Sequence, residues 1–522
     1  MNESLHRIAA IVRADFLIRF RRVSTAVVFV LLSAVAYLWI PDPRTGRALI
    51  QIDGRRAIYN SAAIGMATAL LATIFIGLIG FYVISNAIRR DLLSRCGFVA
   101  ASTTMKSSEY IAGKFIGNIV FLSTFIAGFA AVAMAMVLVR GEAPLEPWIF
   151  IKQYLLLAPP LIVFVSAVAI FFESVPFLSG KFGDVAYFFL WMTSLGIVVA
   201  ITENAGGPTG PISYFDFTGF GFLWDTMHKM SNTGSLSIGA TSFDPKQPPY
   251  VFGGLHVSAA WAVRRIAATL SPLLVVGAAA LAFHRFDPIR VRKSVRHNGA
   301  NLLARINVRF KPLTRVASRL ITVGRRPSIA RSILADALMT ASGSPIVAIA
   351  AIGFAVVAAA SAPSEVSRGV LPLAFAVAAI AVADLSCKEW RAGTLPLVYS
   401  APRLQAMFIA WKFIAALLVT AAVVAVPVAR SATSPLFAIV GTLFVAAAAV
   451  TLGIISNTAK TFTVLFLTFW YVVMNDKGMT PSLDFAGFFG KATPMVIAAY
   501  AAVGAAMLVA AQVVHSRRLS AA

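Results

Sequence analysis

The chain has few cysteines and few acidic residues. Cys96 and Cys387 are the only cysteines among 522 residues. Both fall in segments predicted to face the cytoplasm, so a structural disulfide is not expected. Asp and Glu number 21 against 45 Lys and Arg, charged residues make up 13% of the chain and hydrophobic residues 59%. This balance excludes an ordinary soluble globular protein.

Motifs of nucleotide hydrolysis and covalent chemistry are also missing. There is no G-x-x-x-x-G-K-[ST] phosphate loop, and no soluble stretch is long enough for an ATPase domain. H-E-x-x-H, C-x-x-C and G-x-S-x-G are absent as well. The segment 203–262 contains histidines and aspartates, which we interpret as ordinary polar loop residues and not as a metal site. We therefore expect no enzyme activity, no metal and no directly bound cofactor.

Long apolar runs are what the sequence does contain. Twelve segments in two blocks of six approach or exceed the ~17–25 residues that a helix needs to cross hydrocarbon. Backbone polar groups in lipid must be satisfied internally, so the spans should be helices. The prediction is an all-α polytopic membrane protein with twelve transmembrane helices. The segments are 23–40, 61–86, 111–139, 153–173, 185–202, 266–283, 344–362, 369–385, 407–429, 435–456, 461–475 and 494–512.

Positive charge is concentrated between the two blocks. Residues 285–331 carry thirteen Lys and Arg against one acid, Asp287. In a membrane protein, the positive-inside rule and attraction to anionic lipid explain this stretch better than nucleic-acid binding does. The basic loops place both termini in the cytoplasm, and the Ala- and Arg-rich composition favours a bacterial inner membrane.

The two blocks share sequence features, which predicts an internal repeat. The predicted domains are a first six-helix half, 1–285, with an outer loop at 203–262, a basic cytoplasmic linker, 286–328, and a second six-helix half, 329–522. Between matching features the offset shrinks along the chain from 321 to 231 residues, in steps that fall in predicted outer loops. Six spans per copy make the repeat parallel. The matching pairs are Asp15 and Asp336, Gly97 and Gly393, Lys181 and Lys460, and His284 and His515.

The predicted spans are almost free of ionisable side chains. Glu173 and Asp384 fall only at predicted span ends. Charges inside lipid are costly and are kept for work such as proton relay. Their scarcity argues against proton- or ion-coupled transport and favours a pathway driven by a partner.

A helix before the first span is predicted to lie in the membrane interface. Apolar residues recur there at helical spacing, from Leu5 to Phe20, with charged residues between them. A weaker copy of the pattern surrounds Asp336. The residues assigned to these elbow helices are Arg13, Asp15, Phe16, Arg19 and Asp336.

The loop after the second span, 87–110, carries charges of both signs and could dock a soluble partner through ion pairs. It reads Arg90-Asp91, then Gly97, then Thr103-Thr104-Met105-Lys106-Ser107-Ser108-Glu109-Tyr110, and runs into Gly113-Lys114. With the helix before the first span, this resembles the ABC-2 type permeases, the membrane subunits of type V ABC exporters. That family reads roughly R-D-x-x-x-G, a Thr-Pro-x-Ser turn, a tyrosine and a Gly-Lys pair. Met105 replaces the usual proline, whereas the second half keeps Pro402 and has Trp411-Lys412 for the Gly-Lys pair.

The resemblance implies elbow helices, a coupling helix after the second span of each half, and a separate cytoplasmic ABC ATPase, of which two copies would meet the two coupling loops. ATP would bind to that partner. The substrate stays open. The residues assigned to ATPase coupling are Arg90, Asp91, Arg95, Gly97, Glu109, Lys114, Lys388, Glu389, Arg391, Gly393 and Arg403.

A secondary transporter of the major facilitator type is the alternative. That class also has twelve spans, both termini inside and a basic central loop. The long outer loop 203–262, the N-terminal helix and the scarcity of intramembrane acids oppose it. A membrane scaffold or an integral enzyme without a visible motif also stays open.

Overall fold

The computed structural model describes two compact units, one within Met1–Ser294 and one within Val295–Ala522. The basic linker, apart from Phe286, and much of the first predicted span lie outside the described residues. The described residues are 2–21, 25, 29–30, 33–34, 36–37, 39–52, 54–175, 178–204, 211–230, 236–243, 245–255, 257–283, 286, 329–342, 345–400 and 402–520.

The first unit is mainly helical, with three short strands in its connections. A π-helical turn, Ile76–Gly80, joins α2 to α3. The helices are α1 Asn2–Phe20, α2 Ser61–Phe75, α3 Phe81–Ile84, α4 Ala87–Leu93, α5 Cys96–Ser102, α6 Ser107–Arg140, α7 Pro147–Ser174, α8 Lys181–Asn204, α9 Phe220–Met230, α10 Ala259–Leu270 and α11 Pro272–Ala282. The strands are β1 Arg47–Ile52, β2 Arg55–Arg56 and β3 Leu236–Ser242.

The second unit is helical throughout its described part. A π-helical turn, Val366–Val370, precedes α15. The helices are α12 Ile329–Ser342, α13 Pro345–Ala360, α14 Pro363–Glu365, α15 Leu371–Val382, α16 Lys388–Ala392, α17 Leu395–Tyr399, α18 Pro402–Ala406, α19 Phe408–Arg430, α20 Pro435–Ser456, α21 Ala459–Asp476 and α22 Pro494–Ser520.

Within the described residues, eight helices are long and apolar enough to cross a membrane. Several apolar helices therefore support a membrane protein, whereas the count of twelve spans stays a prediction. Two further apolar helices are shorter, at Phe182–Val198 and Val347–Ala360. The eight are Ser61–Leu92, Ser107–Arg140, Pro147–Ser174, Ala259–Ala282, Pro363–Val382, Phe408–Arg430, Pro435–Ser456 and Pro494–Ser520.

A small antiparallel sheet, which the sequence analysis did not predict, joins two distant connections of the first unit. Its strand order is β2-β1-β3, and Ile50 lies opposite Ile238. The bidentate pair of Arg56 with Glu142 (2.6 and 2.8 Å) ties the sheet to the turn between α6 and α7. We call this end of the first unit the sheet end. The opposite end carries α4 and α5.

In the first unit, α7 packs against α2, α6, α10 and α11. Pro159 and Pro160 interrupt its hydrogen-bond ladder, because proline has no N–H to donate. The buried guanidinium of Arg265 donates instead to the carbonyls of Leu156 (3.1 Å), Leu157 (2.9 Å) and Asp216 (2.5 Å). One side chain on α10 thus bridges the break in α7 and attaches the segment around Asp216.

Candidate functional site

A group of charged side chains is buried where α1, α4 and α6 of the first unit meet. The carboxylate of Asp15 accepts from Lys114 Nζ (2.9 Å), Arg90 Nη2 (2.6 Å) and Arg19 Nη2 (3.4 Å). Lys114 Nζ also lies 2.6 Å from Asp91 Oδ2. These five residues, Asp15, Arg19, Arg90, Asp91 and Lys114, are called the first cluster.

Neighbouring polar groups complete the first cluster. The hydroxyl of Tyr110 donates to Asp91 (2.8 Å), and Arg19 Nη1 donates to Asn118 Oδ1 (2.7 Å). Asp15 and Lys114 are each only 3% exposed. Burial raises the pKa of Asp15, but the charges of Lys114, Arg19 and Arg90 outweigh burial and hold that pKa below its ordinary value. Asp15 is therefore a buried carboxylate kept ionised by its neighbours.

Close packing of α1 on α6 brings the first cluster together. Gly113 and Gly117 face α1, and a Cβ at Gly113 would collide with Ile11. Small residues four apart let two helices approach closely. Ion pairs join the two helices at successive positions: Arg7 pairs with Glu109, and further along both helices Asp15 pairs with Lys114. Accordingly α1 runs alongside the first turns of α6.

The charged residues of α1 differ in their exposure, and Arg13 is exposed. Asp15 and Arg19 face the bundle and are buried, because they find ion-pair partners there. Apolar side chains near the end of α1 are instead exposed. They are Leu17, Ile18 and Phe20. The described contacts thus place two charged side chains of α1, Asp15 and Arg19, against the bundle and leave apolar side chains at its end exposed, whereas the position of the helix in the membrane interface stays a prediction.

The second unit contains a corresponding group, called the second cluster: Asp336, Lys388, Glu389 and Lys412. Lys412 Nζ lies 2.8 Å from Asp336 Oδ2 and also pairs with Glu389, and Lys388 pairs with Asp336. Lys412 is fully buried and Asp336 is 1% exposed. Trp411 Nε1 donates to the carbonyl of Ser332 (3.1 Å), which fixes α12 against α19.

The two clusters have the same pattern of connections. In each, an aspartate on α1 or α12 pairs with a lysine near the start of α6 or α19. In each, two consecutive residues, one basic and one acidic, complete the group. The basic residue pairs with the aspartate, and the acidic residue pairs with the lysine. Arg90-Asp91 plays this part in the first cluster and Lys388-Glu389 in the second.

No family model, no curated protein and no solved structure matches the chain. The functional argument therefore depends on the geometry of the two units and on their sequence patterns.

The remaining predicted site residues lie around the clusters. Glu109 accepts from the N–H of Lys106 (2.9 Å) and pairs with Arg7 (3.5 Å). Gly97 packs against the ring of Phe286. Phe16 stacks on Phe20 and meets Phe121 edge-on. Arg13, Arg95 and Arg391 are exposed, Gly393 ends α16 with φ 69°, and the side chain of Arg403 lies outside the described residues.

Exposed apolar side chains project from the segments that follow the second spans. On α5 these are Phe98 (36% exposed) and Val99 (67%), and after α15 they are Trp390 (53%) and Leu397 (74%). Arg95 and Arg391 lie beside them in sequence and are exposed too. We call 85–106 the first charged loop and 383–407 the second charged loop. Both present apolar side chains flanked by positive charge.

Sequence reasoning missed a repeated motif at the other end of the units. Asp216-Phe-Thr-Gly-Phe220 and Asp484-Phe-Ala-Gly-Phe488 share the pattern D-F-x-G-F. Asp216 accepts from the N–H groups of Gly219 (2.8 Å) and Gly221 (2.9 Å), and Asp484 from those of Phe488 (2.6 Å) and Phe489 (3.1 Å). Gly219 and Gly487 both have positive φ, 83° and 77°. Comparing the fifth-to-sixth connections of the two halves by eye would have found the motif.

Proposed function

We propose that the chain is the membrane subunit of an ATP-driven transporter of the ABC-2 type, working with a separate cytoplasmic ABC ATPase. The observation that carries the proposal is the matched pair of clusters. Each joins the three elements on which such a machine depends: the helix before the first span, the loop after the second span and the start of the third span.

The clusters make each charged loop rigid with respect to the helices beside it. Removing one member of a buried ion pair costs about 3–5 kcal/mol, because the other charge is left buried without a partner. A force on the loop is therefore passed to α1 and α6, or to α12 and α19, before the cluster breaks. Movement imposed by a partner would reach the spans without covalent chemistry in this chain.

The exposed faces of the charged loops suit a protein partner. Apolar side chains such as Val99 and Leu397 provide contact area, and the adjacent arginines provide charge complementarity. Because each unit has one such loop, the proposal includes two ATPase copies, one on each loop. It also includes cytoplasmic termini, a bacterial inner membrane and lipid contact along the exposed apolar helix faces. Export is the direction implied by the resemblance, and the cargo is left unassigned.

A proton-coupled secondary transporter is the second candidate, and one observation favours it. Asp15 and Asp336 are buried carboxylates next to lysines, the kind of group that can relay protons in a membrane. Transport that a proton uncoupler abolishes at constant ATP would support this candidate, whereas transport that needs the ATPase and survives the uncoupler would support the first.

The two cysteines offer a direct test of ATPase docking. Cys96 is exposed at the start of α5, whereas Cys387 is buried beside the second cluster. A maleimide should label Cys96 in the intact chain and leave Cys387 unmodified as an internal control. Addition of the co-purifying ATPase should slow labelling at Cys96. Unchanged labelling with a saturating amount of ATPase would contradict docking on the first charged loop.

A further inference from the structure

In the first unit, an acidic residue lies at the end of the fourth predicted span. Glu173 is in the last turn of α7, where negative charge is disfavoured because the carbonyl end of a helix already carries it. Its carboxylate accepts hydrogen bonds from the first three N–H groups of α4, those of Ala87 (3.0 Å), Ile88 (2.7 Å) and Arg89 (3.3 Å). The first N–H groups of a helix have no partner within it, and negative charge is favoured there. Glu173 thus joins the end of α7 to the helix that begins the first charged loop.

Apolar packing reinforces the contact between α4 and α7. Ile88 of α4 is buried in a hydrophobic cluster that includes Ala167 and Ile170 of α7. The same short helix carries Arg90 and Asp91 of the first cluster. A tilt of α4 therefore either breaks three charge-assisted hydrogen bonds and uncovers Ile88, or moves the end of α7 with it.

In the second unit, a basic residue meets the end of the fourth predicted span. The guanidinium of Arg518, near the end of α22, donates to the carbonyls of Ile454 (2.7 Å) and Ile455 (3.1 Å) in the last turn of α20. It also donates to the side-chain oxygen of Asn457, the residue that ends α20 (2.7 Å). Carbonyls at this end of a helix lack helical partners, and positive charge is favoured beside them. The same guanidinium lies 6.0 Å from the centre of the Trp390 ring, in the second charged loop.

Further contacts attach the second charged loop to α22. The hydroxyl of Tyr399 lies 3.1 Å from His515 Nδ1, and His515 Nε2 lies 3.3 Å from the carbonyl of Gln405. The helix α22 in turn packs directly on α20, where Gly504 faces Ala447. Movement of the second charged loop is therefore passed through α22 and Arg518 to α20.

We infer that Glu173 and Arg518 are positioning residues that make the fourth span of each half follow its charged loop. This inference rests on the proposed function and adds α7 and α20 to the helices that the two clusters already join. The two residues have opposite charge because they meet opposite ends of a helix. Glu173 accepts from the N–H groups of α4, whereas Arg518 donates to the carbonyls of α20.

Hydrogen exchange of the full chain in nanodiscs, with its co-purifying ATPase, tests the inference without a known cargo. Exchange is measured before and after the ATPase is trapped with ADP and vanadate, and the response of a peptide is the difference between the two states. The peptides cover the loop segments 87–93 and 388–399 and the fourth-span ends 167–174 and 449–456. In the wild-type chain all four peptides should respond, because each fourth-span end follows its loop.

Neutral substitutions should separate each loop from its fourth span. In Glu173→Gln the response at 167–174 should fall about ten-fold, the scale of one lost hydrogen bond to a charged group, while the response at 87–93 persists. Arg518→Met should have the same effect at 449–456 and leave the response at 388–399 in place. Each variant should leave the other half unchanged. A merely structural role would raise exchange in both states and leave the differences between them intact.

Matched controls and conservative variants make the result specific. Arg517→Met, at the exposed neighbour of Arg518, and Glu146→Gln, at the exposed acid before α7, should keep all four responses within about two-fold of wild type. Glu173→Asp and Arg518→Lys keep the charge but fewer of the hydrogen bonds, so their responses should be intermediate. If a neutral variant does not fold, its conservative counterpart decides, and a full response there overturns the inference.

The outcomes separate this inference from the proposed function. Full responses at 167–174 in Glu173→Gln and at 449–456 in Arg518→Met would overturn the inference while leaving the ATPase partner in place. Wild-type loops that respond without their fourth-span ends, or an equal loss in Arg517→Met, would overturn it in the same way. Failure of any ATPase to bind the wild-type chain would instead remove the proposed function and this inference together.

Discussion

Lys114 and Lys412 are the residues on which the two clusters depend. Each is buried between two carboxylates, Asp15 and Asp91 for the first and Asp336 and Glu389 for the second. A buried ion pair is weak support for stability as such, because desolvation offsets much of its attraction. A buried ion pair instead specifies which helices come into contact, and removing one of its two charged partners is costly.

Replacing Lys114 by methionine should lower the free energy of unfolding in detergent by about 3–5 kcal/mol, since two buried carboxylates lose their shared partner. Lys412→Met should have a similar effect in the second unit. The control is Lys152→Met, at an exposed lysine of α7, which should stay within about 0.5 kcal/mol of wild type. A Lys114→Met chain as stable as Lys152→Met would contradict the assigned burial.

Because of Asp15, the stability of the folded chain should decrease as the pH is lowered into the acid range. The pKa of Asp15 is lowered in the folded chain, so its contribution is fully present above 3.8, the ordinary value. The contribution declines as the pH falls below that value and is gone below the lowered pKa. Asp15→Asn should therefore be less stable than wild type at neutral pH and lose part of the acid dependence. Parallel pH profiles of the two chains, measured by thermal unfolding, would contradict this.

At the scale of the elements, Arg265 compensates for the proline break in α7. Arg265→Met removes side-chain donors to the carbonyls of Leu156, Leu157 and Asp216. The carbonyl of Leu156 has no helical donor, because Pro160 lacks an N–H, and a buried carbonyl left without a donor costs about 1–3 kcal/mol. We expect a loss of several kcal/mol in the stability of the first unit. Arg264→Met is the matched control: Arg264 lies over the ring of Trp261, a contact worth about 0.5–1 kcal/mol. Equal losses would contradict the role of Arg265.

Most helices could be predicted from the sequence, because a long apolar run in lipid has few alternatives to a helix. The predicted segments 111–139, 153–173 and 435–456 fall on α6, α7 and α20. Within the described residues, the count of twelve spans is not confirmed where apolar runs are short or bounded by charge. The helix α21 has Lys460 and Asp476 near its ends and is not among the eight long apolar helices.

The sheet and the clusters could not be predicted in the same way, because both depend on residues far apart in sequence. β1 and β3 are separated by almost two hundred residues, so no local sequence pattern pairs them. Several members of the clusters were selected from the sequence as docking residues. In the first cluster, burial depends on the close packing of α1 at Gly113 and Gly117, which no charge pattern reveals.

At the scale of the whole molecule, two clusters and two D-F-x-G-F turns support the proposed duplication, which predicts a partner ratio. One chain should bind two ATPase copies when ATP is trapped, since each unit has its own charged loop. Mass photometry of the purified complex in nanodiscs measures the ratio directly. Charge reversal at Arg391, exposed in the second charged loop, should reduce it to one copy. A ratio of one in the wild-type complex would contradict binding at both loops.

The arrangement of α1 has a consequence for how the protein is made. Asp15 and Arg19 leave the ribosome about one hundred residues before Lys114 and Asn118, the partners on α6 that they need in order to leave water. Until α6 has been made, the ion pair and hydrogen bond that bury these two side chains cannot form. The last turns of α1 must therefore stay in contact with water during synthesis until α6 follows, so that chains cut short before Lys114 would leave Asp15 and Arg19 without these partners.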